Sequence, residues 1–372
     1  ITGVGVGFAS VAVPMYINEI SPVRYRGLLG AFNQLFVVIG IFGVYLIGDQ
    51  LPHSDTQYSK CPDAHSSTIG DGWKTLAWTG FGISCVLFLV ALIIPESPVY
   101  LLKIGQSTQA GIIMKKLWGQ DYDPSLVDNV SVNSVVDNNT PPTYAELFRP
   151  QTRQAMLIAC GLLIFQQIVG VNAVIFFSSD IFKAAGESDQ DAAGVYVQSI
   201  QVGTTLLSVF LVERLGRRTL MLFSTFGMGT MSFLLAVFFI LKSAGNHQNW
   251  LALLSLMGYM FSFAIGMGPV SWLLVSEIFT DRTRALAASI GTMLNWMSAF
   301  VVTETFTYLV QGLKEYGTFI VFGSLSYACF VFVLIFVFET KGLSKEDIQL
   351  RLQKDMKQSA YSIIGPHVDP EN

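Results

Sequence analysis

The stretch Pro14-Met-Tyr-Ile-Asn-Glu19-Ile-Ser-Pro-Val-Arg24-Tyr-Arg26-Gly27 returns 258 residues later as the charges of Ser276-Glu277-Ile-Phe-Thr-Asp-Arg282-Thr-Arg284. Glu19, Arg24 and Arg26 become Glu277, Arg282 and Arg284, and each set closes an apolar run with a proline in its last turns, Pro14 and Pro269. A weaker pair follows each copy: Pro95-Glu96-Ser97 after the first and Phe338-Glu339-Thr340 after the second. Self-similarity at a fixed offset defines architecture before any single motif does. Two charge constellations at equivalent places describe a chain built from two copies of one helical unit.

The apolar runs themselves exclude a water-soluble fold. Charged residues make up 13% of the 372 residues, against about 25% in soluble domains, while 52% are hydrophobic and the mean hydropathy is +0.51. A helix crosses a bilayer with about 20 mostly apolar residues. Uncharged stretches of that length lie near 28–48, 75–95, 155–179, 192–212, 219–241, 251–276, 285–303 and 316–338, and residues 1–18 form a shorter ninth. That first run opens at Ile1 without an initiator Met or a signal-peptide n-region, so the expectation is a chain that begins inside a helix.

Basic residues orient the spans. Of 22 Lys and Arg, 17 fall in loops of one side, among them Arg24, Arg26, Arg149, Arg153, Arg214, Arg217, Arg218, Arg282 and Arg284. That side and the C-terminal tail are expected to be cytoplasmic. The sequons at Asn129 and Asn138 then lie on the wrong side for glycosylation. The expected organisation is a partial N-terminal lobe over 1–96 with an external loop at 49–73, a cytoplasmic linker with short helices over 97–153, a C-terminal lobe over 154–340 and a tail over 341–372. Parallel six-span repeats joined by a cytoplasmic linker build two-lobed transporters that hold substrate at the midplane. Six spans fall in the second lobe and three in the first, which leads us to expect the partners upstream of Ile1.

Several function classes have no support in the sequence. The net charge is −4 with no basic block, against nucleic-acid binding. Cys61, Cys85, Cys160 and Cys329 include no Cys-x-x-Cys pair. His53, His65, His247 and His367 all lie in loops or the tail, so neither a metal site nor a Ser/His/Asp arrangement is expected. His53, Cys61 and His65 share one loop, whose solvated reading outweighs metal binding. Gly3-Val-Gly5-Val-Gly7 lacks the spacing of a dinucleotide fingerprint and reads as close helix packing. No enzyme activity and no cofactor are expected.

Neutral amides in mid-span are the residues that call for a function, because an unpaired amide in hydrocarbon is costly. Gln34 follows Gly27, Gly30 and Ala31 on one helix face, where it could serve an interhelical hydrogen bond or a ligand equally well. Asn295 shares such a small-residue face with Ala288 and Gly291. On a straight helix Asn172 would point about 120° from Gln166 and about 140° from Gln167. Gly170 lies between them, so a break is expected there, of the kind discontinuous transporter helices use near substrate. One of the three amides could instead bridge to a neighbouring span. Trp272 follows Gly266, Gly268 and Pro269, which weaken the helix around it; a lone Trp is otherwise an interfacial anchor.

At this point the residues resemble a known family, the sugar porters of the major facilitator superfamily, and especially its facilitative glucose transporters. The matching strings are Pro14 to Gly27, Pro95-Glu-Ser-Pro98, Gln166-Gln-Ile-Val-Gly-Val-Asn-Ala173, Glu213-Arg-Leu-Gly-Arg-Arg218, Gly268-Pro-Val-Ser-Trp272 with Ser276-Glu-Ile-Phe279, Asn295-Trp296 and Glu339-Thr-Lys-Gly342. The resemblance implies an all-α membrane protein of the major facilitator fold, with nine of twelve transmembrane helices present and Ile1 inside the fourth. It implies a sugar site of Gln34, Gln166, Gln167, Asn172, Gln201, Trp272 and Asn295, Gln201 standing where many relatives carry Asn. It implies a cytoplasmic gate of Glu19, Arg26, Glu213, Arg217, Arg218, Glu277 and Arg284, whose salt bridges part when the carrier opens inward, and an outer gate at Phe176 and Phe177, where relatives often have Tyr-Tyr. Val99 and Ala264 also depart from the pattern, replacing an Arg and an acidic residue.

The implied activity is facilitated diffusion of a hexose by a monomeric uniporter in the plasma or an endosomal membrane. A proton-coupled sugar or polyol symporter, a trehalose carrier and a non-transporting sugar sensor are the rival readings. A symporter would be favoured by an acidic residue in the first span, and a sensor by a long tail, where about thirty residues follow Lys341 here.

Overall fold

The computed structural model describes residues 2–22, 25–50, 72–119, 143–176, 178, 191–246, 248–280, 282–343 and 347–352. Among these residues the secondary structure is helical throughout, as the long apolar runs dictate: in hydrocarbon only a helix or a closed barrel satisfies its own backbone. The first spans are α1 (Thr2–Ile20), α2 (Arg26–Asp49) and α3 (Gly72–Ala91). Short helices α4 (Pro98–Lys103), α5 (Ser107–Trp118) and α6 (Tyr144–Leu147) form the described part of the linker. Ser97 starts α4 by accepting from the Tyr100 N–H, with Pro98 at the first helical position.

The second half holds α7 (Pro150–Ile168), α8 (Val171–Phe176), α9 (Asp191–Leu215), α10 (Arg217–Ser243), α11 (Asn249–Ser262), a π turn (Phe263–Met267), α12 (Gly268–Ile278) and α13 (Arg284–Phe336). Two spans are therefore discontinuous: α7 with α8, and α11 with α12 across the π turn. One run is the opposite case. Two expected spans, 285–303 and 316–338, appear as the single α13, broken only where Lys314 adopts φ 60° and ψ 175°. The first of them continues well past its expected end. The uncharged run ends at Glu304, but the helix does not; Thr303 and Thr305 return their hydroxyls to the carbonyls of Ala299 and Val301 at 2.8 and 2.6 Å, which accommodates them inside it.

Apolar side chains line the outside. Trp78, Phe81 and Phe88 on α3 and Phe210 and Phe300 on the later spans are more than half exposed, which suits acyl chains and not water. The buried core joins α7 to α13 and contains Leu162, Met228, Leu256 and Phe322. Close approaches are set by glycines: a Cβ at Gly291 would meet Leu163 at 2.7 Å, and one at Gly266 would strike the Leu220 backbone. The N-terminal spans meet this body through α2, which packs along α9 and touches α12, and through α1 against α13.

The break expected at Gly170 is present. Gly170 has φ 96°, and a Cβ there would sit 2.7 Å from the Phe322 ring. Gly170→Ala is therefore expected to cost about 1–3 kcal/mol through backbone strain and overlap. The check is the thermal midpoint in detergent, where an unchanged value would show that the break tolerates a side chain.

Candidate functional site

Each break frees backbone groups, and side chains from neighbouring spans take them up. The Val169 carbonyl at the end of α7 accepts from the Tyr259 hydroxyl of α11 at 2.9 Å. At the π turn, Pro269 has no N–H to offer Ile265, and Ser208 of α9 donates to that carbonyl at 2.7 Å. Ser224 of α10 accepts from the Met267 N–H at 2.9 Å. The Met267 and Gly268 carbonyls both accept from Gln166 Nε2 at 3.0 Å. Gln166 thus joins one break to the other.

From Gln166 a chain of amides runs back to the first break. Asn295 Nδ2 donates to Gln166 Oε1 at 2.9 Å and to the Leu163 carbonyl at 2.8 Å. Gln167 Nε2 donates to Asn295 Oδ1 at 3.0 Å, and Asn172 Nδ2 donates to Gln167 Oε1 at 2.7 Å. The turn at Gly170 is what lets Asn172 and Gln167 meet, since a straight helix would hold them about 140° apart. Gln166 and Asn295 use every amide hydrogen on protein acceptors, so they hold the cluster's shape. Gln167 and Asn172 keep capacity: no described residue uses the second amide hydrogen of Gln167 or the carbonyl oxygen of Asn172.

The other expected sugar-site residues lie on α2, α9 and α12. Gln201, on α9, is buried with its Oε1 unpartnered. Trp272 is half-buried on α12, one turn beyond the π turn, and packs against the core. Gln34 is part-buried on α2, the helix that runs along α9. Of the expected outer gate, Phe177 lies outside the described residues, as does the side chain of Phe176 at the end of α8. A contact not foreseen is close by. The Tyr45 hydroxyl of α2 donates to the Ile175 carbonyl of α8 at 2.6 Å, and the Tyr45 ring fills the place a side chain at Gly194 would take.

The basic end carries the expected gate residues in a different division of labour. Arg217 is buried, its guanidinium pairing with Glu277 at 2.9 Å and Glu213 at 3.1 Å. Arg284 reaches the carbonyls of Ser276 and Phe279 at 3.0 and 3.1 Å, closing the end of α12. Arg218 gives its side chain to the Leu334 carbonyl at 2.8 Å. Arg26's side chain and all of Arg24 lie outside the described residues. The residue missed from the sequence is Glu339. Its carboxylate accepts from the N–H groups of Arg217 and Arg218 at 2.9 and 3.1 Å, capping the start of α10 where the helix dipole favours an anion. Its place in the Phe338-Glu339-Thr340 repeat was the available signal.

The 258-residue repeat acquires a physical meaning here. Ser97 donates to the Glu19 carboxylate, and Thr340 donates to Glu277 at 2.7 Å. The carbonyls of Ile20 and Ile278, also 258 residues apart, are each closed from a later segment of the chain, by Trp118 Nε1 at 2.8 Å and Gln349 Nε2 at 2.7 Å. Arg282 forms a two-pronged pair with Glu146 of α6, 2.9 Å at each prong. Those hydrogen bonds from Arg282 hold the Glu146 carboxyl below its ordinary range.

Helical spans broken at paired sites, amides gathered between them and a repeated charged end define a two-lobed membrane carrier of the major facilitator fold. The family model described as "Sugar (and other) transporter" matches residues 1–352, and the chain belongs to that sugar porter family. It is 35% identical over 357 residues to Sugar transporter ERD6-like 6 of Arabidopsis thaliana, covering 93% of this chain and 69% of the relative. It is 32% identical over 360 residues to the facilitated trehalose transporter Tret1 of Bombyx mori, covering 95% and 67%. Among solved structures, the proton:xylose symporter XylE bound to 6-bromo-6-deoxy-D-glucose superposes with a TM-score of 0.75 at 29% identity, covering 94% of this chain and 72% of that one.

Two predictions test the charged end. Arg217→Ala is expected to shift the carrier towards the conformer open at the basic end, read as weaker binding of an inhibitor that enters from the opposite side; equal binding would reduce the network to a structural role. A depressed carboxyl contributes stability fully above its ordinary pKa, about 4.3 for Glu, and loses it as pH falls through the depressed value. Hydrogen exchange of residues 144–147 is therefore expected to stay protected at mildly acidic pH in the parent but not in Glu146→Gln. Equal exchange in both would show that the Arg282 pair does not hold α6.

Proposed function

We propose that the chain carries a neutral hexose across the membrane by alternating access, down its gradient, with the basic end and the tail in the cytoplasm. The observation behind this is the amide chain from Asn172 to Gln166. A sugar hydroxyl both donates and accepts, and a carboxamide is the uncharged side chain that answers both. Gln167 and Asn172 contact the sugar, Gln34 and Gln201 approach it from the α2 and α9 sides, and Trp272 offers a flat apolar face to the ring. Gln166 and Asn295 position the others.

Passive transport is supported by where the carboxylates fall. Among the described residues, those of the spans lie at or near helix ends, such as Glu19, Glu213, Glu277 and Glu339. Glu304 lies roughly 30 Å along α13 from Arg284, which puts it near the opposite interface, and it is exposed. None of these could pick up a proton beside the amides. Alternating access also needs contacts that part readily. The Tyr45–Ile175 bond and the 3.3 Å bond from Trp296 to Ser10 join the N-terminal spans to the second body, and a net value of about 0.5–1.5 kcal/mol apiece lets both break and re-form.

Two of the relatives favour specific alternatives, a disaccharide substrate in the case of Tret1 and proton coupling in the case of XylE. One assay separates them. In proteoliposomes, labelled glucose is expected to equilibrate at a rate insensitive to protonophore, and Gln167→Leu is expected to abolish uptake at unchanged protein level. Accumulation above the external concentration in an acid-outside gradient would replace the passive reading with symport. Stronger competition by trehalose than by glucose would replace the hexose.

A further inference from the structure

Gln198 of α9 is fully buried, and both ends of its carboxamide, Oε1 and Nε2, are without a hydrogen-bonding partner. Among the described residues no other buried side-chain amide is left unmatched at both atoms. One turn along the helix, Gln201 is also buried with its Oε1 unmatched. Amides so placed are costly in a bilayer unless something answers them. Two of them in succession on one helix point to an occupant that the described residues do not supply.

Where they face follows from the helix. Gly194, Gln198 and Gln201 lie within a sector of about 60° on α9. Gly194 is pressed against the Tyr45 ring of α2, so this sector looks towards α2. The Tyr45 hydroxyl spans from there to Ile175 on α8, three residues beyond Asn172. Gln198 therefore lies one turn inside Tyr45 and about 4.5 Å beyond Gln201 along the α9 axis. Free polar capacity is graded among these amides: Gln166 and Asn295 are spent on protein, Gln167 and Asn172 are half used, Gln201 has an unmatched oxygen and Gln198 is unmatched at both atoms.

We infer that Gln198 is a sugar-binding residue that sets specificity, forming with Gln201 a subsite on the Tyr45 side that takes one further hydroxyl of a neutral polyol. This rests on the reading of the amide cluster as a sugar site. One carboxamide supplies a donor and an acceptor, the complement of one hydroxyl. The hydroxyl belongs either to the ring held at Gln167 and Asn172 or to a second ring attached to it. Tyr45 covers the subsite, so its bond to Ile175 closes over an occupant at the end away from the basic residues.

The test is initial uptake by the reconstituted carrier for glucose, a series of monodeoxyglucoses that each lack a different hydroxyl, and trehalose. Gln198→Leu is expected to raise KM about tenfold with kcat unchanged, and the analogue lacking the contacted hydroxyl is expected to show no such rise. Gln198→Asn, with a shorter amide, is expected to recover part of the loss. A rise confined to trehalose would place the hydroxyl on a second ring and support the inference equally. Unchanged KM for every sugar would overturn it, and so would an equal loss for every sugar with a lowered thermal midpoint, which would make Gln198 a structural residue. Gln167→Leu run in parallel separates the two levels: if it leaves uptake intact, the sugar-site reading itself fails, whereas its loss beside an inert Gln198→Leu removes only the subsite.

Discussion

A backbone carbonyl in hydrocarbon has no water to turn to, and the rest of the structure answers to that constraint. The interruption at Gly170 and the π turn leave such carbonyls at Val169 and Ile265, met by Tyr259 and Ser208 from other helices, and Gln166 adds its amide to the Met267 and Gly268 carbonyls that open α12. The helix breaks are therefore held open by the same contacts that draw α7, α9, α10, α11 and α13 together. The amides follow from this arrangement. Gln166 is fixed because it serves the π turn, Asn295 because it serves Gln166, and Gln167 and Asn172 are then presented with hydrogen-bonding capacity that no described residue uses.

The spans, the repeat and the break at Gly170 could be read directly, because each leaves a local mark: an uncharged run, a fixed offset of 258 residues, a glycine between amides whose angles do not agree. The family resemblance supplied the site residues, and the coordinates bring Gln166, Gln167, Asn172 and Asn295 into one hydrogen-bonded chain. What the sequence did not disclose depends on who stands opposite whom. Gln166 looks no different from Gln167 in the sequence, yet one is spent on backbone and the other is half free. Tyr45 is an ordinary aromatic until its hydroxyl meets Ile175. Glu339 sat inside a recognised repeat, but its role as a cap belongs to the start of α10, more than a hundred residues earlier. The uncharged run 285–303 ends at Glu304, whereas the helix carries on to Lys314, because a charge limits an apolar stretch without ending a helix.

The two copies of the charged end are alike in chemistry and unlike in partners. A hydroxyl from the following motif reaches the glutamate in both, Ser97 to Glu19 and Thr340 to Glu277, and an N–H donor closes the carbonyl of Ile20 or Ile278 in both. Only the second copy shows the buried Arg217 among its described residues, drawn in by two carboxylates. Because Glu339 holds the backbone of Arg217 while Glu277 holds its side chain, the ends of α10, α12 and α13 share one residue as their meeting point.

Lys314 leaves no slack between the two halves of α13, a single residue at φ 60° doing the work of a loop. Such a hairpin cannot shear: sliding one arm by a helical turn would have to stretch a connection that has no spare length. The arm carrying Asn295 and the arm carrying Phe322, whose ring lies parallel to that of Phe306 on the first arm, are thus coupled as one stiff piece. Whatever tilts one arm therefore tilts the other, and Asn295 keeps its place relative to Phe322.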